Sequence, residues 1–294
     1  MENNNVTKPK KLKRHFLPWP ILIALGIVLL GQIIGGIVQS LLTRLFNPSP
    51  MWKFTIEYFS TIGTVIVVVA FCAKFEKPIL KTFLPGGKGG LKGNNLKNFF
   101  LGILFGFLMN GGCILLAWLH GDLHFSIDAI HPLYLILTFF CVCIQSSSEE
   151  MVTRGYMYQA HIDRYPAIVA ILANSLTFGV LHLLNPGITI TSFLQITLCG
   201  VALSLAVFVC DSIWMAYGVH TMWNYTQSIL FGLPNSGIVS EGSLFHLDAA
   251  SESIFYDPAF GIEGAITSVV AETALCIGLL IVLYMKKKKA SPAV

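Results

Sequence analysis

Charged residues are scarce in this chain. Lysine, arginine, aspartate and glutamate make up 12% of its 294 residues, whereas soluble domains carry about 25%. Hydrophobic residues account for 54%, and apolar runs of about twenty residues recur along the whole length. These features exclude a soluble globular domain. Because a spanning helix satisfies its own backbone hydrogen bonds in lipid, we predict an all-α polytopic membrane protein.

Several functional signatures are also missing. The seven cysteines show no zinc-type CxxC spacing and lie in or beside apolar runs, which argues against a disulfide framework. The Gly-rich segment 84–95 lacks the Gly-Lys-Ser/Thr ending of a phosphate loop. The basic residues lie at the chain ends and in one loop, so no folded basic patch and no nucleic-acid partner are expected.

The apolar runs predict about eight transmembrane helices. They are expected at 17–43, 52–74, 98–119, 131–160, 167–185, 188–210, 213–232 and 262–285. We divide the chain into three parts on this basis. Residues 1–97 contain a basic arm, two spans and a loop, residues 98–232 form the membrane core, and residues 233–294 contain an external loop, the last span and a basic tail.

Lysine and arginine are distributed unevenly between the two sides of the predicted membrane. When the spans are counted alternately, the basic N-terminal arm, the loop 74–97 and the lysine-rich tail 286–289 fall on one side. The segment 233–261 on the other side is acidic and has no lysine or arginine. The positive-inside rule therefore predicts that both termini are cytoplasmic, and we expect a bacterial plasma membrane. We expect segment 233–261 to be a solvated loop, with capping or substrate contact as the alternative.

Two adjacent carboxylates and an arginine occur in the stretch SSSEEMVTRG, directly after an apolar run. Ionisable residues inside membrane spans usually mark functional sites. Glu150 and Arg154 are four positions apart, so their side chains meet on one helix face and neutralise each other. Glu149 is turned about 100° away and remains available as a general base. The alternative is a single structural ion network that includes all three side chains.

Later apolar runs supply histidine and asparagine. His182 follows Phe178 by four residues in FGVLH, and taken alone it is interpreted as a hydrogen-bonded packing residue, with catalysis as the alternative. His220 and Asn224 in HTMWN are also four residues apart, which suits an oxyanion hole, with interhelical hydrogen bonding as the alternative. Counted from the loops, Glu149 lies about 22 Å and His220 about 14 Å from the cytoplasmic turns, which is a mismatch in depth.

Taken together, the three motifs resemble those of the CPBP family, which comprises CAAX prenyl proteases and bacteriocin-processing enzymes and is also called the Abi family. EEMVTR corresponds to EExxxR, FGVLH to FxxxH, and HTMWN to HxxxN, in the same order and each in its own apolar run. The resemblance covers residues 98–232 and implies a CAAX-protease-like helical core with intramembrane endopeptidase activity. Thr153 departs from the family, in which many members have an aromatic residue before the arginine.

The resemblance implies a role for each motif residue. Glu149 would activate a water molecule, His182 would help to hold it, and His220 and Asn224 would stabilise the tetrahedral oxyanion. The supporting residues would be Glu150, Arg154 and Phe178. The partners would be a membrane-associated peptide or protein substrate and the lipid bilayer.

The family mechanism has been argued both with and without zinc. The chain lacks HExxH, but Glu149, His182 and His220 could supply a two-histidine, one-carboxylate ligand set. That arrangement would leave only Glu150 as a base, and Arg154 already pairs with it. We therefore favour a metal-free mechanism without a cofactor and keep zinc as the alternative.

Two other functions could use the same polar residues. A proton-coupled transporter predicts inverted repeats or broken spans in matching halves, and neither is evident. A non-catalytic immunity or scaffold protein would keep a protease fold without cleavage, but the intact motifs favour an enzyme. Glu57 and Glu272 belong to no motif, and we interpret them as packing groups, with a role in water access as the alternative.

Overall fold

The structure is a computed structural model, which describes residues 16–87, 89–127 and 129–290. The predicted N-terminal basic arm lies outside these residues. The α-helices in the described residues are α1 (Trp19–Phe46), α2 (Pro50–Ser60), α3 (Ile62–Phe75), α4 (Lys77–Leu80), α5 (Leu96–His120), α6 (Pro132–Glu150), α7 (Tyr158–Ile162), α8 (Ala167–Leu181), α9 (Ile190–Cys210), α10 (Ile213–Tyr225) and α11 (Ile266–Ala290). Shorter elements are the π-helical segments Met151–Met157 and Thr226–Leu230, the 3₁₀ turns Lys81–Phe83 and Ile262–Gly264, and the strands β1 (Leu123–Ser126) and β2 (His246–Ala250).

The predicted fold class is confirmed, but the number of eight spans is not. Six helical stretches of the described residues are long and apolar enough to cross a membrane. They are 19–46, 50–75, 96–120, 132–162, 190–210 and 266–289. The other two predicted spans correspond to α8, with 15 residues, and α10, with 13 residues before its π-helical segment. At 1.5 Å per residue, α8 is about 22 Å long and shorter than the hydrocarbon core of a bilayer.

Glycine allows two central helices to approach each other closely. A β-carbon at Gly102 of α5 would collide with the Met215 carbonyl of α10, and one at Gly218 of α10 would collide with the Phe99 carbonyl of α5. Membrane helices often pack through such small residues because lipid provides no hydrophobic drive for their association. The contact fixes α10, which carries the third motif, against α5.

The segment between α10 and α11 is folded against the helices. Its strand β2 pairs antiparallel with β1, which follows α5. The side chains of Leu233, Tyr256 and Phe260 are fully buried. The expectation of a solvated loop is therefore wrong for this part of segment 233–261. Its acidic composition pointed to solvent, but a few isolated apolar anchors without any periodicity are enough to dock it.

Asp122 ties this segment to the end of α5. Its carboxylate accepts hydrogen bonds from Ser253 Oγ at 2.5 Å, His120 Nδ1 at 3.0 Å and Ser251 Oγ at 3.4 Å. Burial acts to raise the pKa of Asp122, but the hydrogen bonds from Ser253, His120 and Ser251 outweigh it and hold the pKa below its usual value of 3.8. The ionised carboxylate is therefore the form that anchors the segment.

We expect Asp122→Ala to release β2 from β1. The loss of these hydrogen bonds should weaken local closure by about 2 kcal/mol and speed amide hydrogen exchange in residues 246–253. Because the pKa is lowered on folding, the anchor contributes fully above pH 3.8 and is lost as the pH falls through the folded value. Glu252→Ala, which removes an exposed charge between the two serines, is the control. Equal exchange in both variants would contradict the prediction.

Candidate active site

The first motif lies where α6 ends and a π-helical segment begins. Nη1 of Arg154 donates to Oε1 of Glu150 at 2.9 Å, and both side chains are completely buried. The ion pair expected from the four-residue spacing is therefore observed. Arg154 belongs to the π-helical segment 151–157, and such segments are frequent at functional sites.

Further contacts hold the guanidinium of Arg154. Its Cζ atom lies 4.4 Å from the centroid of the Phe178 ring, a cation–π contact. Nη1 also donates to Thr153 Oγ1 at 3.0 Å, and this hydroxyl donates to the backbone carbonyl of Glu149 at 2.6 Å. The aromatic surface beside the arginine thus comes from α8, while Thr153 links the arginine to the backbone of the motif.

His220 of α10 bridges the two adjacent glutamates. Its Nδ1 lies 2.9 Å from Oε1 of Glu150, and its Nε2 lies 3.7 Å from Oε2 of Glu149. An ionised carboxylate only accepts hydrogen bonds, so Nδ1 is the donor to Glu150. The expected mismatch in depth does not separate these groups. The helical stretch 132–162 has 31 residues, more than the about 20 needed to span a bilayer, so counting from its loop does not fix the depth of the glutamates.

Gln145 connects Asn224 to Glu149. Nδ2 of Asn224 donates to Oε1 of Gln145 at 3.1 Å, and Nε2 of Gln145 donates to Oε1 of Glu149 at 2.6 Å. Asn235, from the segment after α10, donates to Oδ1 of Asn224 at 3.3 Å. These bonds orient the Asn224 amide with its NH₂ group toward Gln145, which in turn holds Glu149. Sequence analysis did not identify Gln145, although it precedes Glu149 by four residues on the same helix face.

His182 caps the C-terminal end of α8. Its Nδ1 donates to the Phe178 carbonyl at 2.8 Å, and the two rings are 4.7 Å apart. Phe178 also contacts the His220 ring edge-to-face at 6.1 Å between centroids. The second motif therefore packs against both other motifs through Phe178.

A cavity of about 320 Å³ brings the predicted catalytic residues together. Its lining includes Glu149, His182, His220 and Asn224. Of the predicted supporting residues, Phe178 lines the cavity, whereas Glu150 and Arg154 are buried behind it. The three motifs thus contribute to one polar site inside an apolar helical protein.

The segment after α10 supplies part of this cavity. Asn235, Ser236 and Glu263 line it. The Glu263 carboxylate accepts hydrogen bonds from Ser236 N at 2.6 Å, Ser236 Oγ at 2.8 Å and Trp223 Nε1 at 3.0 Å. Burial raises the pKa of Glu263, and the donors from Ser236 and Trp223 oppose this effect. No sequence signal identified these residues, because their position depends on how the segment folds back.

The predicted alternative ligand set does not form a metal site in this geometry. Among the described residues, no three His, Cys, Asp or Glu side chains are grouped to hold a metal ion. Nδ1 of His220 donates to Glu150 and Nδ1 of His182 donates to the Phe178 carbonyl, so each ring has only Nε2 left to bind another group. The metal-free mechanism stays a prediction.

Comparison with known proteins supports the motif assignment. Residues 131–226 match the family model described as Type II CAAX prenyl endopeptidase Rce1-like. All three motifs lie within this segment, which itself lies within the predicted core 98–232. No curated protein and no solved structure matches the chain. The predicted resemblance is confirmed at the level of the family, whereas the boundaries of the three predicted parts stay a prediction.

Proposed function

We propose that this integral membrane protein, whose residues 131–226 match the family of Rce1-like type II CAAX prenyl endopeptidases, is an intramembrane endopeptidase that hydrolyses a peptide bond of a membrane-associated peptide or protein. One observation carries the proposal. A single imidazole, that of His220, joins both glutamates of the first motif at a cavity that also holds His182 and Asn224.

Glu149 acts as the general base. Oε1 is held by Gln145 and Oε2 faces His220, while 32% of the side chain remains exposed, so a water molecule can reach the carboxylate. Glu149 takes one proton from this water, which His182 helps to orient through Nε2, and the resulting hydroxide attacks the peptide carbonyl carbon. The protonated Glu149 then gives its proton to the leaving amine, which restores the carboxylate.

His220 and Asn224 stabilise the negative charge on the tetrahedral intermediate. The Asn224 NH₂ group has two hydrogens, of which Gln145 takes one, so the other is available to the oxyanion. His220 donates Nδ1–H to Glu150 and, as an imidazolium, donates Nε2–H to the oxyanion. Glu150 and Arg154 position this imidazole and do not touch the substrate.

Gln145→Leu should slow the chemical step by fixing Glu149 less precisely. We expect kcat to fall about 10- to 100-fold with little change in KM, because the base is misplaced while the cavity walls remain. Gln32→Leu, which changes another cavity-lining glutamine on α1, is the control. A rise in KM at unchanged kcat would assign Gln145 to substrate binding and contradict the positioning role.

Metal removal provides a second expectation. In our favoured mechanism the base, the water-holding group and the oxyanion donors are all protein side chains, so cleavage should persist after prolonged incubation with a strong chelator. Initial rates before and after chelation, and after addition of zinc, measure this directly. Loss of cleavage that zinc restores would replace our mechanism with the zinc-dependent alternative.

The orientation of the protein is part of the proposal. We infer that both termini are cytoplasmic, in a bacterial plasma membrane, since lysine and arginine are concentrated at the ends and in the loop 74–97. The described lysines Lys286–Lys289 extend α11 at its C-terminal end. Cysteine-accessibility labelling of single-cysteine variants from each side of sealed vesicles would test this orientation.

The proposed activity is tested with the purified full-length protein in detergent. A library of membrane-associated peptides is incubated with it, and products are identified by mass spectrometry. We expect internal cleavage at one bond type that depends on Glu149. If no peptide or membrane protein is cleaved by the folded wild-type protein, the proposed function is wrong.

A further inference from the structure

The cavity that holds the candidate active site is acidic. Its lining includes the four glutamates Glu57, Glu149, Glu263 and Glu272, and no lysine or arginine among the described residues that line it. Glu149 is held by Gln145, and Glu263 accepts hydrogen bonds from Ser236 and Trp223. Among the described residues, Glu272 of α11 receives a hydrogen bond only from the thiol of Cys199, which is a weak donor. Glu272 also lies outside the segment that matches the protease family.

Glu272 and Gln195 both line this cavity and both have polar atoms without a partner among the described residues. The Glu272 side chain is 2% exposed, its Oε2 has no hydrogen-bond partner, and it forms no ion pair among the described residues. Gln195 of α9 is 1% exposed, and neither its Nε2 nor its Oε1 has a partner among these residues. Buried polar side chains in folded proteins almost always have partners, so this pair is complementary to a group that is supplied from outside the chain.

The composition of the cavity lining indicates the class of that group. Four glutamates and, among the described residues, no lysine or arginine line the cavity, so a positive charge complements it. An ammonium or guanidinium group supplies that charge and several N–H donors at once, which the oxygens of the two side chains can accept. A cationic group in the substrate is therefore the complement of Glu272 and Gln195.

We propose that Glu272 and Gln195 form a subsite for a lysine or arginine side chain of the substrate peptide. This inference rests on the proposed function, because it places the basic residue in the same cavity as the scissile bond. It deepens that function by specifying the substrate as a basic membrane-associated peptide segment.

The experiment separates binding from cleavage. Fluorescent peptides, in which arginine or its neutral isostere citrulline occupies one position at a time, are titrated into the full-length Glu149→Gln protein in detergent. At one position we expect arginine to bind at least about tenfold more tightly than citrulline. Introducing Glu272→Gln into the same protein should bring the ratio to about one by weakening only arginine binding.

The matched control is Glu252→Gln, which removes an exposed carboxylate from the segment after α10 and should leave the arginine preference unchanged. Citrulline binding by the Glu272→Gln protein reports whether its cavity is intact. Equal binding of arginine and citrulline peptides at every position, or an arginine preference that survives Glu272→Gln, would overturn the subsite. Because these readouts are affinities, they stand apart from the cleavage assay, whose failure would overturn the proposed function.

Discussion

Replacement of Glu149 by glutamine is expected to abolish peptide cleavage while the protein remains folded. Glutamine has nearly the same shape and its carbonyl can still accept the hydrogen bond from Gln145, but it cannot take a proton from water. Loss of a general base costs about 10²- to 10⁴-fold in rate. The Glu149 side chain is 32% exposed, so removal of its charge should have little effect on stability.

Initial cleavage rates and thermal unfolding are measured for the detergent-purified wild-type and Glu149→Gln proteins. Glu241→Gln, at an exposed position outside the cavity, controls for the change in net charge. Full activity of Glu149→Gln would exclude our mechanism. If the variant cannot cleave but still supports the cellular function of the protein, a non-catalytic scaffold role is favoured instead.

Local spacing made the centre of the site predictable. The four-residue spacing between Glu150 and Arg154 gave their ion pair, and the same spacing put His220 and Asn224 on one face of α10. A contact between two residues four positions apart on one helix can be predicted without knowledge of the rest of the fold. The spacing did not reveal that His220 also contacts Glu150, because that contact depends on how closely α10 approaches the end of α6.

The surroundings of the site could not be predicted in this way. Asn235, Ser236 and Glu263 reach the cavity because the segment after α10 folds back, and their neighbours in the sequence show no helical or strand periodicity. The π-helical segments 151–157 and 226–230 have no residue pattern of their own, since they depend on a local rearrangement of backbone hydrogen bonds. Gln145 is intermediate: the four-residue rule would have found it if amides had been considered as partners of Glu149.

The largest loss of stability is expected for Arg154→Met. The guanidinium and the Glu150 carboxylate are both fully buried, 2.9 Å apart, so the variant leaves a carboxylate in the interior without its arginine. Removal of one partner of such a pair destabilises a protein by about 3–5 kcal/mol. We expect a clear fall in the thermal midpoint in detergent and a loss of cleavage. Arg44→Met, at an exposed position of α1, should have little effect.

A double variant tests the electrostatic cause of that loss. In Glu150→Gln/Arg154→Met the buried carboxylate is gone, so most of the stability lost in Arg154→Met should return, giving a coupling energy between the two positions. Activity should not return, because the neutral amide that replaces the Glu150 carboxylate gives His220 no anionic partner for its Nδ1–H. Additive destabilisation in the double variant would mean that Arg154 acts through its contact with Phe178 and not through its pairing with Glu150. Recovery of stability without recovery of cleavage would separate the two functions of Glu150, which are to neutralise the arginine and to orient the imidazole.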